Sequence, residues 1–204
     1  MTQQSEPSTL RRASVSRQTK ETTVSVEVAI DGTGKSSVAT GIGMLDHMLD
    51  QLARHGLFDI TVQSKGDLHI DAHHSVEDIA IVLGQAFDKA LGDRAGIVRM
   101  GHAIVPLDEA LALVAVDLSG RGHAVIEAGF TAPSIGQLSA DMVPHFLETF
   151  AREGRLTLHV RLMSGESNHH KLEAIFKALA RALDVASQID PRRGGDVPST
   201  KGSL

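Results

Sequence analysis

The sequence predicts an α/β protein in which two internally duplicated half-domains pack their helices between two β-sheets. The first observation is a segment that begins at His47 and recurs at His145, with His, Leu, Ala, Arg and Gly at identical spacing. The second is a His-His-x-x-Glu motif that begins at His73 and recurs at His169. An apolar stripe of helical period follows each copy of this motif. Because each helix carries a single apolar stripe, we expect the sheets to cover the helices of both halves.

The first half is predicted to contain a strand, a short helix, a second strand and a long helix. Residues 21–32 alternate apolar and polar side chains, as a half-buried strand does, and the glycines of residues 32–34 predict a hairpin turn. A short helix is predicted over residues 47–56, with Gly56 as its C-cap. Residues 57–62 predict the next strand, and the long helix opens at His73.

The second half follows the same order. Residues 109–120 match the first strand, although more loosely, and residues 129–144 form a loop rich in Gly, Ser and Pro. A short helix over residues 145–154, a strand over residues 156–162 and a long helix that opens at His169 complete the repeat. The predicted boundaries are a flexible polar arm (1–18), the first repeat (19–97), the second repeat (98–190) and an irregular tail (191–204).

Composition limits the possible functions. The chain has 204 residues, 42% of them hydrophobic, and a formal net charge of -5, which argues against a nucleic-acid surface. It has no cysteine, so any metal site must use His, Asp or Glu. No apolar run is long enough to span a membrane, and the polar start lacks the apolar segment of a secretory signal. We therefore expect a cytoplasmic protein that binds neither nucleic acid nor membrane.

The duplicated motif is typical of metal ligands. Its first His and its Glu are four residues apart and share one helix face, whereas its second His points about 100° away. One motif therefore cannot easily chelate a single ion, and two ions, each held by ligands from both repeats, satisfy the geometry. Coordination positions would stay open for water or substrate. The eight candidate ligands are His47, His73, His74, Glu77, His145, His169, His170 and Glu173.

The alternative for any single histidine is an ordinary surface or core position. Duplication of the motif, each copy preceded by a matched histidine, favours metal binding over that alternative for the eight candidates. Five histidines have no counterpart in the other repeat, and for them we keep the structural interpretation: His55, His69, His102, His123 and His159.

Several short motifs together resemble one known family. They include Asp71-Ala-His-His-Ser-Val-Glu-Asp78 and Pro198-Ser-Thr-Lys-Gly202, and further matches lie at residues 17–22, 45–49, 108–111, 117–121 and 169–173. From about residue 17 to residue 204 the chain resembles the imidazoleglycerol-phosphate dehydratases of histidine biosynthesis. It departs from the family at Met44, where an aromatic residue is usual, and at Gly122-His123, which replaces a common Pro-Tyr.

The resemblance implies two mixed four-stranded sheets and two Mn²⁺ ions per subunit. One ion would take His47, His74, His169 and Glu173, and the other His73, Glu77, His145 and His170. It further implies that a small-molecule substrate, imidazole glycerol phosphate, loses water to give imidazole acetol phosphate. The subunits would form a homo-oligomer of 24 chains built from trimers, with the metals at subunit contacts.

The resemblance also implies roles for residues that the repeat does not single out. Glu21 would be the catalytic acid–base group, and the tail would contribute to binding the substrate phosphate. The implied substrate-binding residues are Gln51, Arg99, Arg121, Lys177, Ser199 and Lys201. From the residues alone, Glu21 fits a solvated charge at the start of a strand, and each cation fits an ordinary surface position.

Two other functions are compatible with the same ligand set. A dinuclear metallohydrolase would use a metal-bound hydroxide as its nucleophile. A non-catalytic shell would use the metals only to join subunits, and Glu21 would then be dispensable. A kinase is disfavoured because the chain has no Gly-rich phosphate loop followed by Lys-Ser/Thr.

Overall fold

The computed structural model describes residues 11–204. The first half contains β1 (Arg12–Gln18), β2 (Thr22–Ala29), β3 (Ser36–Ala39), α1 (Gly43–Gly56), β4 (Asp59–Gly66) and α2 (His73–Leu91). The second half contains β5 (Met100–Leu107), β6 (Ala110–Asp117), β7 (His123–Glu127), α3 (Met142–Glu153), β10 (Thr157–Ser164) and α4 (Asn168–Ser187). A short ribbon, β8 (Ser134–Ile135) with β9 (Leu138–Ser139), lies between β7 and α3, and a 3₁₀ turn (Pro191–Arg193) starts the tail.

The order β-β-β-α-β-α therefore occurs twice, and each copy builds one four-stranded sheet. The strand orders are β1-β2-β4-β3 and β5-β6-β10-β7. Each sheet is mixed, because its last strand runs parallel to its neighbour while the other pairs are antiparallel. The central strands are paired through Val26 and Val62 in one sheet and through Val114 and Val160 in the other. The predicted duplicated α/β class is confirmed.

The four helices form a layer between the two sheets. The long helix α2 packs on β1 and β2, and α4 packs on β5 and β6. Each short helix packs against the long helix of the other half, α1 on α4 and α3 on α2. The two stripes predicted from the sequence are buried, including Leu83 and Leu179. Among residues 11–204, no helix is long and apolar enough to cross a membrane.

The predicted flexible arm is wrong over its second half. Arg12–Gln18 forms β1, which is antiparallel to β2 with Val15 opposite Val26. Only Ala13 and Val15 pack against the core, so the strand has too little apolar periodicity to be recognised without its partner. The first repeat thus starts at Arg12 and not at residue 19. Residues 1–10 of the predicted arm lie outside the described residues.

The predicted hairpin at residues 32–34 is also wrong. The chain does turn there, but the strands on either side, β2 and β3, are separated by β4. The turn is held by Asp59, the first residue of β4, whose Oδ1 accepts hydrogen bonds from the backbone N–H groups of Thr33 (2.8 Å) and Lys35 (2.9 Å). A Cβ on Gly32 would lie 2.3 Å from the backbone N of Asp59, so this glycine allows the close approach.

The predicted glycine C-caps mark the helix ends correctly but for a different reason. The left-handed residue is the one after each glycine, Leu57 with φ 57° and Arg155 with φ 51°. A Cβ on Gly56 would lie 2.3 Å from the ring of Phe58. One on Gly154 would lie 2.9 Å from a backbone oxygen of its own helix. Both glycines are therefore required for close packing.

We expect Gly84→Ala to destabilise the fold by about 1–3 kcal/mol, the usual cost of overpacking a core. Its Cβ would lie 2.8 Å from the backbone N of Gly154 and 2.9 Å from the backbone O of Phe150, where α2 meets α3. Gly129→Ala is the matched control, because nothing lies within 4 Å of its added Cβ, and it should change stability by about 0.5 kcal/mol or less. Urea unfolding at one protein concentration measures both. Equal unfolding midpoints would contradict the close contact.

Candidate metal centre

The first cluster of possible metal ligands joins α1 to α4. His47 comes from α1, and His169 and Glu173 lie four residues apart at the start of α4. Oε1 of Glu173 is 2.9 Å from Nε2 of His47 and 2.9 Å from Nε2 of His169. Each of the three residues offers a donor atom, and these atoms all lie within 4.8 Å of one another. The close packing of two helices from different halves thus creates a group with two imidazoles and one carboxylate.

The second cluster is the pseudosymmetric copy of the first and joins α3 to α2. It consists of His145 from α3 with His73 and Glu77 from the start of α2, again with donor atoms within 4.8 Å of one another. The rings of His73 and His145 have their centroids 5.0 Å apart. Nε2 of His145 is buried and has no hydrogen-bond partner within residues 11–204. An unpartnered imidazole nitrogen that faces a carboxylate and a second imidazole fits a metal ligand.

The remaining two predicted ligands stand outside both clusters. The ring of His74 is at 85° to that of His73, and the ring of His170 is at 85° to that of His169. Nδ1 of His74 is 3.0 Å from Oδ2 of Asp67. In the second repeat, Nδ1 of His170 makes a similar contact with the carboxylate of Glu109. Within the described chain, each cluster therefore has three of the four ligands that the family resemblance implies. The assignment of the eight residues as metal ligands stays a prediction.

Two carboxylates at the clusters, Glu173 and Glu109, are held in their ionised form. Burial opposes ionisation of Glu173, but hydrogen bonds from Lys177, His47 and His169 outweigh it and lower the pKa of its carboxyl to about 2. The hydrogen bond from His170 and the backbone N–H of Ser167 lower the pKa of Glu109 to about 2. These groups can thus serve as anionic ligands or as acceptors for imidazole N–H groups at neutral pH.

A polar stripe continues from the first cluster along α1 and α4. Gln51 lies one turn beyond His47, and Nζ of Lys177 is 2.6 Å from Oε2 of Glu173. The structure thus places the predicted substrate-binding residues Gln51 and Lys177 beside this cluster. His55 extends the stripe, with its Nε2 3.0 Å from Oε1 of Gln51, and burial followed by the positive charge of Lys177 lowers its pKa. His55 has no counterpart in the other repeat, but its spacing from His47 and Gln51 places it on the same helix face.

The predicted phosphate-binding residues come together in a second location. Arg99, Arg121, Ser199 and Lys201 line one cavity, which the C-terminal tail closes on one side. The guanidinium of Arg99 binds Asp117 through two contacts of 2.7 and 3.0 Å and donates to the backbone O of Pro198 at 2.7 Å. A cavity with two guanidinium groups, an ammonium and a hydroxyl suits a phosphate group.

This anion cavity lies far from the candidate metal clusters of the same chain. The backbone N–H of Arg99 bonds to the O of Ala186, 2.8 Å away, at the end of α4, whereas His170 is at the start of that helix. At 1.5 Å per residue, the helix between His170 and Ala186 spans about 24 Å. One chain therefore presents its candidate metal ligands and its anion cavity at opposite ends of a long helix.

Glu21 lies at the tip of the β1–β2 hairpin, near the start of α2. Its Oε2 is 3.9 Å from Nδ1 of His74, and its side chain is 56% exposed and makes no hydrogen bond within the described part of the chain. The hairpin is tied to α2 on both sides of Glu21, because Arg17 and Thr22 each bond to the carboxylate of Asp78. The structure thus presents this carboxylate on an anchored hairpin next to a predicted ligand.

The fold and the site define a duplicated α/β protein with paired-histidine helices. The family model for imidazoleglycerol-phosphate dehydratase matches residues 40–183. Imidazoleglycerol-phosphate dehydratase of Roseiflexus sp. (strain RS-1) is 56% identical over 198 residues, 97% of this chain and 100% of that protein. The enzyme of Dehalococcoides mccartyi (strain CBDB1) is 58% identical over 196 residues, 96% of this chain and 98% of that protein.

Solved structures show the same similarity. Imidazoleglycerol-phosphate dehydratase from Staphylococcus aureus matches with a TM-score of 0.80 and 33% identity, over 88% of this chain and 99% of that chain. The Pyrococcus furiosus enzyme matches with a TM-score of 0.80 and 36% identity, over 93% and 100% of the two chains. The chain belongs to the imidazoleglycerol-phosphate dehydratase family, a family of hydro-lyases, and the recognition made from the sequence is confirmed.

We expect the purified protein, equilibrated with Mn²⁺ and then desalted, to retain two ions per chain. His145→Ala should lose tight binding of one ion, because it removes a donor from the second cluster only. His159→Ala is the control, since His159 is an exposed residue of β10 outside both clusters. Mass spectrometry of the metal content measures the ratio. One or fewer tightly bound ions in a fully active wild-type protein would contradict the two-cluster interpretation.

Proposed function

We propose that this chain is an imidazoleglycerol-phosphate dehydratase that removes water from imidazole glycerol phosphate to give imidazole acetol phosphate in histidine biosynthesis. Two Mn²⁺ ions per subunit would be its cofactors. The observation that carries the proposal is the pair of matched His-His-Glu clusters, each built from both repeats, in a chain of this family. A cluster of carboxylate and imidazole donors that arises twice by duplication is difficult to explain without a ligand common to both.

The donor set fits divalent metal ions. Nitrogen and oxygen donors of this kind suit Mn²⁺, Fe²⁺ and Zn²⁺, and the three donors of each cluster leave positions for a further ligand and for the substrate. The unpartnered Nε2 of His145 is further support. When bound, the ions would supply positive charge that favours loss of the imidazole N–H proton of the substrate.

Two observations support an active site that is shared between chains. His74 and His170 point away from the clusters of their own chain and would be available to the clusters of others. The anion cavity lies beyond the far end of α4, about 20 Å along that helix from Glu173 of the first cluster. The imidazole and the phosphate of the substrate are only a few bonds apart, so one chain cannot hold both ends of it. We therefore propose that the site forms only in a homo-oligomer, with 24 chains built from trimers as the family resemblance implies.

The outer face of the second sheet supports self-association. Met100, Ile104 and Met163 are 60%, 54% and 52% exposed on this face. The first sheet has Arg12 at the position equivalent to Met100 and Ser16 at the position equivalent to Ile104. Such an apolar face on only one of two duplicated sheets is typical of a surface that is covered by another subunit.

The residues near the clusters and in the anion cavity have separate roles in this proposal. Glu21, exposed on its hairpin, would move the protons that dehydration requires. Arg99, Arg121, Ser199 and Lys201 would bind the phosphate, with the arginines giving bidentate contacts. Gln51 and Lys177 would contact the substrate beside the first cluster. Phosphate binding at one end and ring binding at the other would fix the reacting carbons relative to Glu21.

The function is tested by incubating the Mn²⁺-loaded protein with imidazole glycerol phosphate and measuring both the ketone and inorganic phosphate. We expect ketone without phosphate release, and Glu21→Gln should lower kcat at least 10-fold because the amide cannot exchange a proton. Its content of Mn²⁺ should be unchanged. Glu127→Gln, which removes an exposed carboxylate paired with Arg161, is the control and should keep the wild-type kcat.

Two outcomes would favour other functions, and a third would remove Glu21 from the proposed mechanism. Phosphate release without ketone would indicate a metallohydrolase. Metal-dependent assembly with neither product would indicate a structural shell. If Glu21→Gln keeps more than about a tenth of the wild-type kcat, Glu21 is not the acid–base group.

The shared site predicts complementation between two inactive variants. His47→Ala damages the first cluster and Arg99→Ala damages the anion cavity, so each alone should have little activity. When the two are mixed, stripped of metal with EDTA and reassembled with Mn²⁺, some sites combine an intact cluster from one variant with an intact cavity from the other. In an equal, random mixture a site receives an intact cluster with a probability of about one half and an intact cavity with the same probability. About a quarter of the wild-type activity should therefore be restored. No recovery in a reassembled mixture would mean that one chain supplies both halves.

A further inference from the structure

The tips of the two equivalent hairpins carry the same residue. Glu21 immediately precedes β2, and Glu109 immediately precedes β6, the matching strand of the second repeat. Each tip lies near the second histidine of the duplicated motif, at 3.9 Å from Nδ1 of His74 for Glu21 and at 2.7 Å from Nδ1 of His170 for Glu109. Duplication thus placed a glutamate beside an equivalent imidazole twice, but only one of the two is within hydrogen-bond distance.

Both carboxylate oxygens of Glu109 are engaged. Its Oε2 contacts Nδ1 of His170 at 2.7 Å, and its Oε1 accepts hydrogen bonds from the backbone N–H groups of Ser167 (2.8 Å) and Glu166 (3.1 Å). These contacts join the hairpin tip to the turn that starts α4. Glu109 is therefore fixed in a structural role that its counterpart Glu21 does not have.

In the first repeat, a different carboxylate holds the equivalent histidine. Asp67 follows the last residue of β4, and its Oδ2 is 3.0 Å from Nδ1 of His74. The side chain of Asp67 is only 11% exposed, whereas that of Glu21 is 56% exposed. The histidine contact that a hairpin glutamate makes in the second repeat is thus made by a loop aspartate in the first.

The position of Asp67 in the second repeat is occupied by Glu166. A bulge in β10 between Leu162 and Ser164 shifts the register there, so that Gly165 matches Gly66. An added Cβ on Gly66 would contact Ser75 and Thr22, and one on Gly165 would contact Lys171 and Ala110, the equivalent residues of the second repeat. Glu166 follows Gly165 as Asp67 follows Gly66, but it is exposed and contributes only its backbone N–H, to Glu109. The histidine is therefore held by the carboxylate that follows the sheet strand in the first repeat, Asp67, and by the hairpin carboxylate in the second, Glu109.

We propose that Asp67 and Glu109 are positioning residues that accept the Nδ1–H of His74 and His170 and so turn Nε2 of each ring outward as a metal donor. We further infer that Asp67, by holding His74, leaves Glu21 free for proton transfer. The inference rests on the proposed function, because it assumes that both histidines complete metal sites.

The physical basis is the single N–H of a neutral imidazole. When Nδ1 carries the proton and donates it to a carboxylate, the lone pair is on Nε2, and the ring orientation is fixed before the ion arrives. Loss of such a partner typically lowers metal affinity about 10–100-fold. A glutamate engaged in this way could not also exchange protons with a substrate, which explains why the two hairpin glutamates cannot share one role.

Because a different carboxylate holds the histidine in each repeat, the chain offers two matched pairs of variants. Asp67→Ala and Glu109→Ala should each lower the affinity of one of the two Mn²⁺ sites about 10–100-fold. Their counterparts, Glu166→Ala and Glu21→Ala, should leave both affinities within about twofold of wild type, since neither holds a ligand. Binding of Mn²⁺ to metal-free protein, followed by electron paramagnetic resonance, measures the affinities without any activity assay. Asp67→Asn and Glu109→Gln, which keep an acceptor oxygen, should recover part of the loss.

The outcomes separate this inference from the proposed function. Equal affinities within each matched pair would overturn the inference alone, and a wild-type protein that binds no Mn²⁺ would overturn both. If an alanine variant fails to fold, the histidine tautomers of the wild type are measured instead, by nitrogen-15 NMR of the metal-free protein at alkaline pH. His74 and His170 should then carry their proton on Nδ1, and protonation of Nε2 in either would overturn the inference.

Discussion

Each short helix of this protein packs against the long helix of the opposite repeat, and the candidate site depends on that crossed packing. The long helices use their apolar stripes against their own sheets and so have a second side available to the other half. Close contact on this side is possible because Gly84 of α2 meets Gly154 beyond the end of α3. His47 reaches Glu173, and His145 reaches Glu77, only because α1 and α3 lie across the other repeat. Neither half-domain could form a cluster by itself.

The same packing places the two polar clusters at the edge of the apolar core. Residues immediately behind the ligands, such as Val76 and Leu172, are fully buried, whereas the imidazoles reach the surface. A partly buried carboxylate in this position is stable only when N–H groups surround it, and Glu173 has three such partners. The candidate ligands are thus already held in place, which would lower the ordering cost of binding an ion.

Duplication kept the backbone and allowed the side chains to diverge. The inner faces of the two sheets remain apolar, as at Val26 and Val114, because both must cover helices. The outer faces differ, with Ser16 in one sheet where Ile104 stands in the other. The carboxylates near the clusters diverge in the same way, since the backbone can be retained while the histidine contact moves from a hairpin to a loop. A duplicated fold can therefore carry two similar candidate metal clusters while only one of its two hairpin glutamates, Glu21, lies beyond hydrogen-bond distance of the histidine.

Much of the architecture could be predicted from the sequence because its signals are local and occur twice. The spacing of His73 and Glu77, with its repeat at His169 and Glu173, is a helical pattern that needs no knowledge of neighbouring elements. The apolar stripes predicted the long helices and their buried faces, and both are observed. The strand β1 was missed because only Ala13 and Val15 face the core, and its main stabilisation comes from pairing with a distant strand.

The sequence by itself determined the duplication, the fold class, the set of paired histidines and the family of this protein. Only the tertiary structure decided that β4 inserts between β2 and β3, because strand order depends on pairing between residues that are far apart in the chain. It also decided that six of the eight candidate ligands meet within one chain and two do not, and that the anion cavity lies at the far end of α4. Likewise, the contacts of Asp67 and Glu109 with the histidines depend on a hairpin, a bulge and a helix start that converge only in the folded chain. A local pattern specifies residue types and helix faces, whereas the distances between them are set by how the layers pack.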